Sequence, residues 1–287
     1  MWAAAIAFSV LTGDGAVAQT KATGVRPNRT LLPEAQEILR KAIGRAKWSE
    51  EQKFEGKFVW RRHEITEQYD SKGKVKKRED KIYGVVPIDG VPYSRLLQKD
   101  GRQPSEKEIR EEQENEKRFR ERLAKQRSQV ASGKKKREDD EVRFNEELVA
   151  RYQWEVTGQE EVNGRVAYVL GFQPRSGDLP VKRTLDRLLN RLAGRLWVDA
   201  EDFEIARVDL HLAENISAWG GLLASVKKFV LRFEQSKVDQ TAWLPSYIDG
   251  YLDGRILIRT MRVKVWQRNS DFRPAAMATV QPASGKP

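Results

Sequence analysis

From Phe229 to Arg273 the chain reads FVLRFEQSKVDQTAWLPSYIDGYLDGRILIRTMRVKVWQRNSDFR. Three strand-length runs follow one another, each alternating in side-chain character at period two and each separated by a short polar turn. That pattern specifies an antiparallel meander, because successive side chains of a strand point to opposite faces. It commits the C-terminal third to a sheet and excludes an all-helical fold.

The same signal recurs upstream. Phe54–Glu67 alternates, with Phe54, Phe58 and Trp60 on one face and Lys57, Arg61 and His63 on the other. Asp70-Ser71-Lys72-Gly73 and Asp89-Gly90 are turns that separate Lys74–Pro87 and Val91–Gln98, giving a three-strand meander. Tyr152, Trp154 and Val156 begin a further strand. Asn163-Gly164 predicts a type I′ hairpin, after which Val166, Tyr168, Leu170 and Phe172 return on one face. Arg195–Val198 and Phe203–Leu212 form another hairpin, with Ala206, Val208, Leu210 and Leu212 facing one way. Ile216–Leu223 is an apolar, glycine-broken loop. About ten strands result.

Helical spacing is confined to few places. Leu32, Ala35, Ile38, Leu39, Ala42, Ile43 and Ala46 predict an amphipathic helix from Pro33 to Lys47, with Pro33 suited to the first turn. Ser105 and Glu108 make a capping box that opens a charged helix to about Ser128, whose apolar positions are Ile109, Phe119 and Leu123. Its i,i+4 pairs, Glu114–Arg118 and Glu116–Arg120, contribute about 0.3–0.5 kcal/mol each. A short helix is expected over Val142–Ala150. Leu185, Leu188, Leu189 and Leu192 suggest another after Pro180, ended by Gly194.

Met1–Ala18 carries a short apolar core, Ala3–Leu11, and an Ala16-Val17-Ala18 cleavage site, although the basic leader of a secretory signal is missing. The expected mature start is Gln19. Residues 19–32 read as a polar leader, 33–273 as a single domain with a charged helical insertion at 105–141, and 274–287 as a disordered tail. The chain has no cysteine, so neither a disulfide nor a lipid-modified N-terminal Cys is available. These features point to a soluble periplasmic protein.

The formal net charge is +11. Acids and bases interleave almost everywhere, and the one bare basic run, Lys134–Arg137, is followed at once by Glu138–Glu141. A solvated mixed-sign surface explains this better than a nucleic-acid partner, while weak contact with an anionic membrane surface stays open. With two histidines, His63 and His211, no metal cluster of recognised spacing exists. No nucleophile, phosphate-loop or dinucleotide motif occurs. No catalytic residue, metal site or cofactor is indicated.

Taken in order, several pieces resemble the LolA/LolB-type superfamily, and most closely its outer membrane lipoprotein-sorting branch. They are the helix Pro33–Lys47 leading to Phe54-Glu55-Gly56-Lys57-Phe58, then Leu196-Trp197-Val198-Asp199 turning into Glu204-Ile205-Ala206-Arg207-Val208. Phe233-Glu234-Gln235, Trp243-Leu244-Pro245, Asp253-Gly254-Arg255 and Ser270-Asp271-Phe272-Arg273 complete them. The resemblance spans residues 33–273. It implies an α+β fold, mostly β, in which a curved antiparallel sheet forms an unclosed half barrel with helices covering the concave face. The C-terminal meander would form its rim. It also implies a non-enzymatic carrier or receptor for the acyl chains of lipids or lipoproteins, acting in outer-membrane sorting as a monomer. Phe58, Trp60, Trp154, Leu185, Leu189, Trp219, Leu222 and Leu223 are then the expected cavity or lid residues. The alternative is an envelope structural or interaction protein that uses the charged helix as a docking arm for a protein partner. A filled inner face favours that alternative; an open apolar cavity favours the carrier.

Overall fold

The computed structural model describes residues 33–132, 142–183, 185–214, 216–218, 224–256 and 259–277. The expected signal, leader and basic run lie outside them, as do Trp219, Leu222 and Leu223. Eleven strands form among the described residues: β1 (Phe58–Tyr69), β2 (Val75–Ile88), β3 (Val91–Lys99), β4 (Tyr152–Val162), β5 (Arg165–Pro174), β6 (Leu192–Asp199), β7 (Ile205–Leu212), β8 (Ile216–Ala218), β9 (Ala224–Lys237), β10 (Trp243–Ile256) and β11 (Arg259–Pro274). The helices are α1 (Ala35–Gln52), α2 (Glu106–Ala131), α3 (Glu146–Val149) and α4 (Asp186–Leu189).

The strand order is β3-β2-β1-β11-β10-β9-β7-β6-β5-β4, with β8 pairing β9 off that path. Among the described residues the end strands, β3 and β4, do not pair with each other, so the antiparallel sheet does not close into a barrel. The C-terminal meander is therefore not a rim. β9, β10 and β11 occupy the middle of the order, because β11 takes β1 as its second neighbour and β9 takes β7. Both pairings join segments distant in sequence or separated by another strand, and local alternation carries no trace of them. The chain divides into two compact units. Of the described residues, one comprises those up to Glu51, Ile65–Glu79 and those from Val142 to Gln267; the other comprises Gln52–Glu64, those from Asp80 to Ser132 and those from Arg268 to Met277.

In the first unit, β4 to β7 and β9 present alternate residues to two faces. Leu196 and Val198 enter the main apolar cluster, with Leu170, Val208 and Leu231, while Trp197 joins a smaller cluster with Val169 and Trp243. The Asn163-Gly164 turn is type I′ as expected, with φ of 51° and 78°. Ala206 departs from the expected alternation. Pairing of β6 with β7 slips between Trp197/Arg207 and Val198/Ile205, so a bulge at Ala206 puts that residue with Trp197, while Ile205 and Val208 share the other face. Gly194 is also not a helix cap. It lies inside β6 opposite Leu210, and a Cβ there would stand 1.9 Å from the Asp209 carbonyl oxygen. The Leu185–Leu192 spacing is helical for only one turn before the chain extends. The expected helix Val142–Ala150 likewise shrinks to α3.

Helix α1 packs on the main cluster through Ile38, Leu39 and Ala42, all buried. It runs past the expected end at Lys47. The added turn carries Ser49, whose Oγ donates to Glu204 Oε2 at 2.6 Å, beside Arg45 Nε, which donates to the same oxygen at 2.8 Å. Burial pushes the Glu204 carboxyl up, against the opposing pull of Ser49 and Arg45. A tertiary anchor thus lengthens the helix beyond its apolar stripe.

The second unit has a small core of Ile88, Tyr93 and Leu123 with Phe119 beside it. Its helix α2 begins with the expected capping box, Ser105 N donating to Glu108 Oε2 at 2.8 Å and Glu108 N to Ser105 Oγ at 3.3 Å. Arg95 forks onto Glu116 at 3.1 and 3.2 Å, and Tyr93 Oη donates to Glu112 Oε1 at 2.7 Å. The first turn of the expected strand at Phe54 is instead a 3-10 turn, Phe54–Lys57. At the other end of the chain β11 runs to Pro274 and a 3-10 turn, Ala275–Met277, follows. The rest of the expected tail lies outside the described residues.

Candidate lipid-contacting face

The candidate site is the helix-covered face of the first unit. β4 supplies Tyr152 and Trp154, β5 Phe172, β6 Leu192 and Leu196, and β7 Val208 and Leu210; α4 adds Leu189, and the approach to α3 adds Val142 and Phe144. Period-two alternation places these strand residues on one face. Tyr152, Trp154 and Phe172 form an aromatic cluster with centroids 4.9–5.9 Å apart, two of the three contacts edge-on.

These residues and Leu148 line an apolar void of about 30 Å³. That is roughly the volume of one water molecule. The face is therefore filled. An acyl chain reaches it only if a covering segment moves.

The cover is two one-turn helices, α3 and α4, tied by a buried polar clamp. The Arg151 side chain is 3% exposed and lies 3.2 Å from Asp186, which is fully buried. Arg151 Nη1 also donates to Asn190 Oδ1 at 2.5 Å and to the Pro180 carbonyl at 3.0 Å. Asp186 in turn accepts from the backbone N–H groups of Lys182 and Arg183, both at 2.9 Å. Burial raises the Asp186 carboxyl, but the Arg183 side chain, these two N–H groups and the Arg151 charge outweigh it, and the net shift is downward. Tyr152 Oη donates to the Leu189 carbonyl at 2.7 Å and Trp154 Nε1 to the Val149 carbonyl at 3.0 Å, tying β4 to both short helices. Burial pushes the Tyr152 phenol up, which keeps it a donor.

The expected site residues separate. Trp154 and Leu189 line the void, and Leu185 packs beside it. Phe58 and Trp60 are buried in the second unit, Trp60 6.1 Å from Phe272. Sequence reasoning missed Val142 and Phe144, an alternating apolar pair set among charges, and Leu192, which it assigned to a helix. Among the described residues no group of three or more His, Asp or Glu could hold a metal ion, and no helix is long and apolar enough to cross a membrane.

No protein-family model matches the chain, and no curated protein matches it. Solved structures of similar chain course include an outer membrane lipoprotein-sorting protein domain from Vibrio parahaemolyticus, 12% identical, covering 86% of this chain and 95% of that one, at TM-score 0.36. A LolA superfamily protein from Nitrosomonas europaea is 13% identical over 85% of this chain and 94% of that one, at TM-score 0.30. The Pseudomonas aeruginosa MucA/MucB complex gives 11% identity, 80% and 99% coverage, and TM-score 0.21. The first two carry the names of the group the sequence resembles. The overlaps are loose, and no ligand, partner or activity is taken from them.

Proposed function

We propose that the protein is a non-enzymatic binder of acyl chains, of lipids or of lipoproteins, working in the periplasm in outer-membrane sorting. The observation that carries this reading is the composition of the covered face. Its void is lined by aliphatic and aromatic side chains, with the Tyr152 and Trp154 polar atoms bonded to backbone carbonyls, under one-turn helices, α3 and α4, that have little stability of their own. Burial of an acyl chain there would contribute about 0.8 kcal/mol per CH₂, and no reactive group is required. Opening the cover would break the buried Arg151–Asp186 clamp and the Tyr152 tie to the Leu189 carbonyl, a cost that acyl-chain burial has to offset.

The second reading is an envelope interaction protein. The 30 Å³ void favours it, because a filled face needs no cargo. Helix α2 is then the surface at issue, with its inner side held to β3 by Arg95–Glu116 and Lys99–Glu108 and its outer side charged.

Native mass spectrometry of the purified protein, followed by lipid extraction, separates the two. Co-purifying or exchangeable acyl chains are expected. A folded sample that neither carries nor takes up such chains sinks the carrier reading and leaves the interaction protein.

A further inference from the structure

Beside the covered face lies a much larger, polar pocket of about 880 Å³. It is a half-open hollow lined by the ends of β5, β6 and β7 and by the segment between β5 and α4, all within the first unit. Its charged lining is Arg175, Arg187 and Arg191 against Asp178 and Glu214, with His211 on β7. The volume lies in the range of small-molecule sites, about 300–1,000 Å³.

The three guanidinium groups are not equivalent. Arg191 is engaged by Glu214 at 2.6 Å. Arg175 donates through Nε to the Tyr152 carbonyl at 3.1 Å, which fixes its plane and leaves the two terminal nitrogens available. Arg187, exposed on α4, makes no ion pair with a described residue. Asp178 sits in the turn at Gly177 (φ 96°) on the same wall. Two arginines with unused forks suit an oxyanion with several acceptor oxygens, and a phosphate offers them in the geometry guanidinium groups match. The space leaves room for an organic group on that phosphate.

Alternation places this pocket back to back with the apolar void. Leu192 and Leu210 line the void, while their neighbours Ala193 and His211 line the pocket; on α4, Leu189 and Arg187 divide in the same way. We propose that the pocket binds an organic phosphate, through Arg187 and Arg175, as the headgroup of an acylated amphiphile whose chains pass round the strand ends under α4, which lines both spaces, into the void on the other face of the sheet. The headgroup assignment rests on the acyl-binding reading; the phosphate site does not.

The test is calorimetric titration of the full chain and of Arg187→Glu with three probes. They are glycerol 3-phosphate, dihexanoyl phosphatidic acid and uncharged dihexanoylglycerol. Arg187 is exposed, so the variant should keep the wild-type melting temperature. Wild type is expected to bind phosphatidic acid most tightly, and Arg187→Glu to weaken it by about tenfold or more, as loss of a charge-assisted hydrogen bond implies. Dihexanoylglycerol binding should not change. Equal phosphatidic acid affinity in the two proteins, or no phosphate binding at all, overturns the proposal. If dihexanoylglycerol still binds in that case, the acyl-binding reading survives alone. Glycerol 3-phosphate binding as tightly as phosphatidic acid supports the phosphate site and overturns the headgroup assignment.

Discussion

Helices α1 and α2 are held to the strands of their own units by opposite means. α1 buries Ile38, Leu39 and Ala42 in the largest apolar cluster and adds one buried carboxylate, Glu204, as an anchor. α2 is longer, yet it offers only Phe119 and Leu123 to a small core and otherwise relies on ion pairs, Glu108 with Lys99 at 2.8 Å and Arg102 at 2.7 Å, and Glu116 with Arg95. Exposed pairs contribute about 0–1 kcal/mol each, whereas a fully buried Ile or Leu contributes about 1.5–3 kcal/mol. The difference teaches that α1 belongs to the core of its unit. It also teaches that α2 is a helix by local capping and charge first and by packing second.

The sharpest way to break this comparison is Ile38→Ala. Ile38 is wholly inaccessible, so the change should cost about 2–5 kcal/mol and lower the urea midpoint of the first unit. A loss well under 1 kcal/mol would mean that α1 is itself a loose cover. Phe119→Ala probes the other side. Its ring stands 4.9 Å from Tyr93 and is only half-buried, so roughly half of the usual Phe→Ala cost, about 2 kcal/mol, is expected. Hydrogen exchange should show the loss in the amides of α2 while those of α1 keep their protection.

How much of this was legible in the sequence follows the range of each interaction. Period-two runs and turn pairs such as Asn163-Gly164 and Asp89-Gly90 act within a few residues, and the strands they predict are present. The capping box at Ser105 and Glu108 is equally local. The place of the C-terminal meander was not legible, because the β1–β11 pairing joins the two ends of the chain. The Ala206 bulge was hidden as well, since Ala206 continues an apolar alternation that only the β6 register interrupts. Gly194 looked like a helix stop because four leucines precede it at helical spacing; the close approach of Asp209 explains it instead. At the site, Trp154 and Leu189 stood out as large apolar residues. Phe144 did not, because its neighbours are charged, and Arg151 did not, because a buried arginine is recognised only by the partners folding brings to it.

The two units also differ in how acid should reach them. Asp186 and Glu108 both have carboxyls shifted downward, Asp186 by Arg183, N–H groups and Arg151 against its burial, and Glu108 by Arg102, Lys99 and Ser105. A carboxyl depressed in the folded state contributes stability that is present above its unfolded pKa and is lost as pH falls through the folded value. Both contributions should therefore fade below about pH 4, the ordinary carboxylate range. Asp186 is fully buried and Glu108 is in contact with solvent, so salt separates them, because it screens exposed charges far more than buried ones. Acid titrations of stability for Asp186→Asn and Glu108→Gln, each at low and high salt, measure the difference. Asp186→Asn should flatten the acid loss of the first unit at both salt levels. Glu108→Gln should alter that of α2 at low salt alone. A salt-sensitive Asp186 effect would place the clamp in contact with water, and the tightly closed cover over the apolar void would have to be given up.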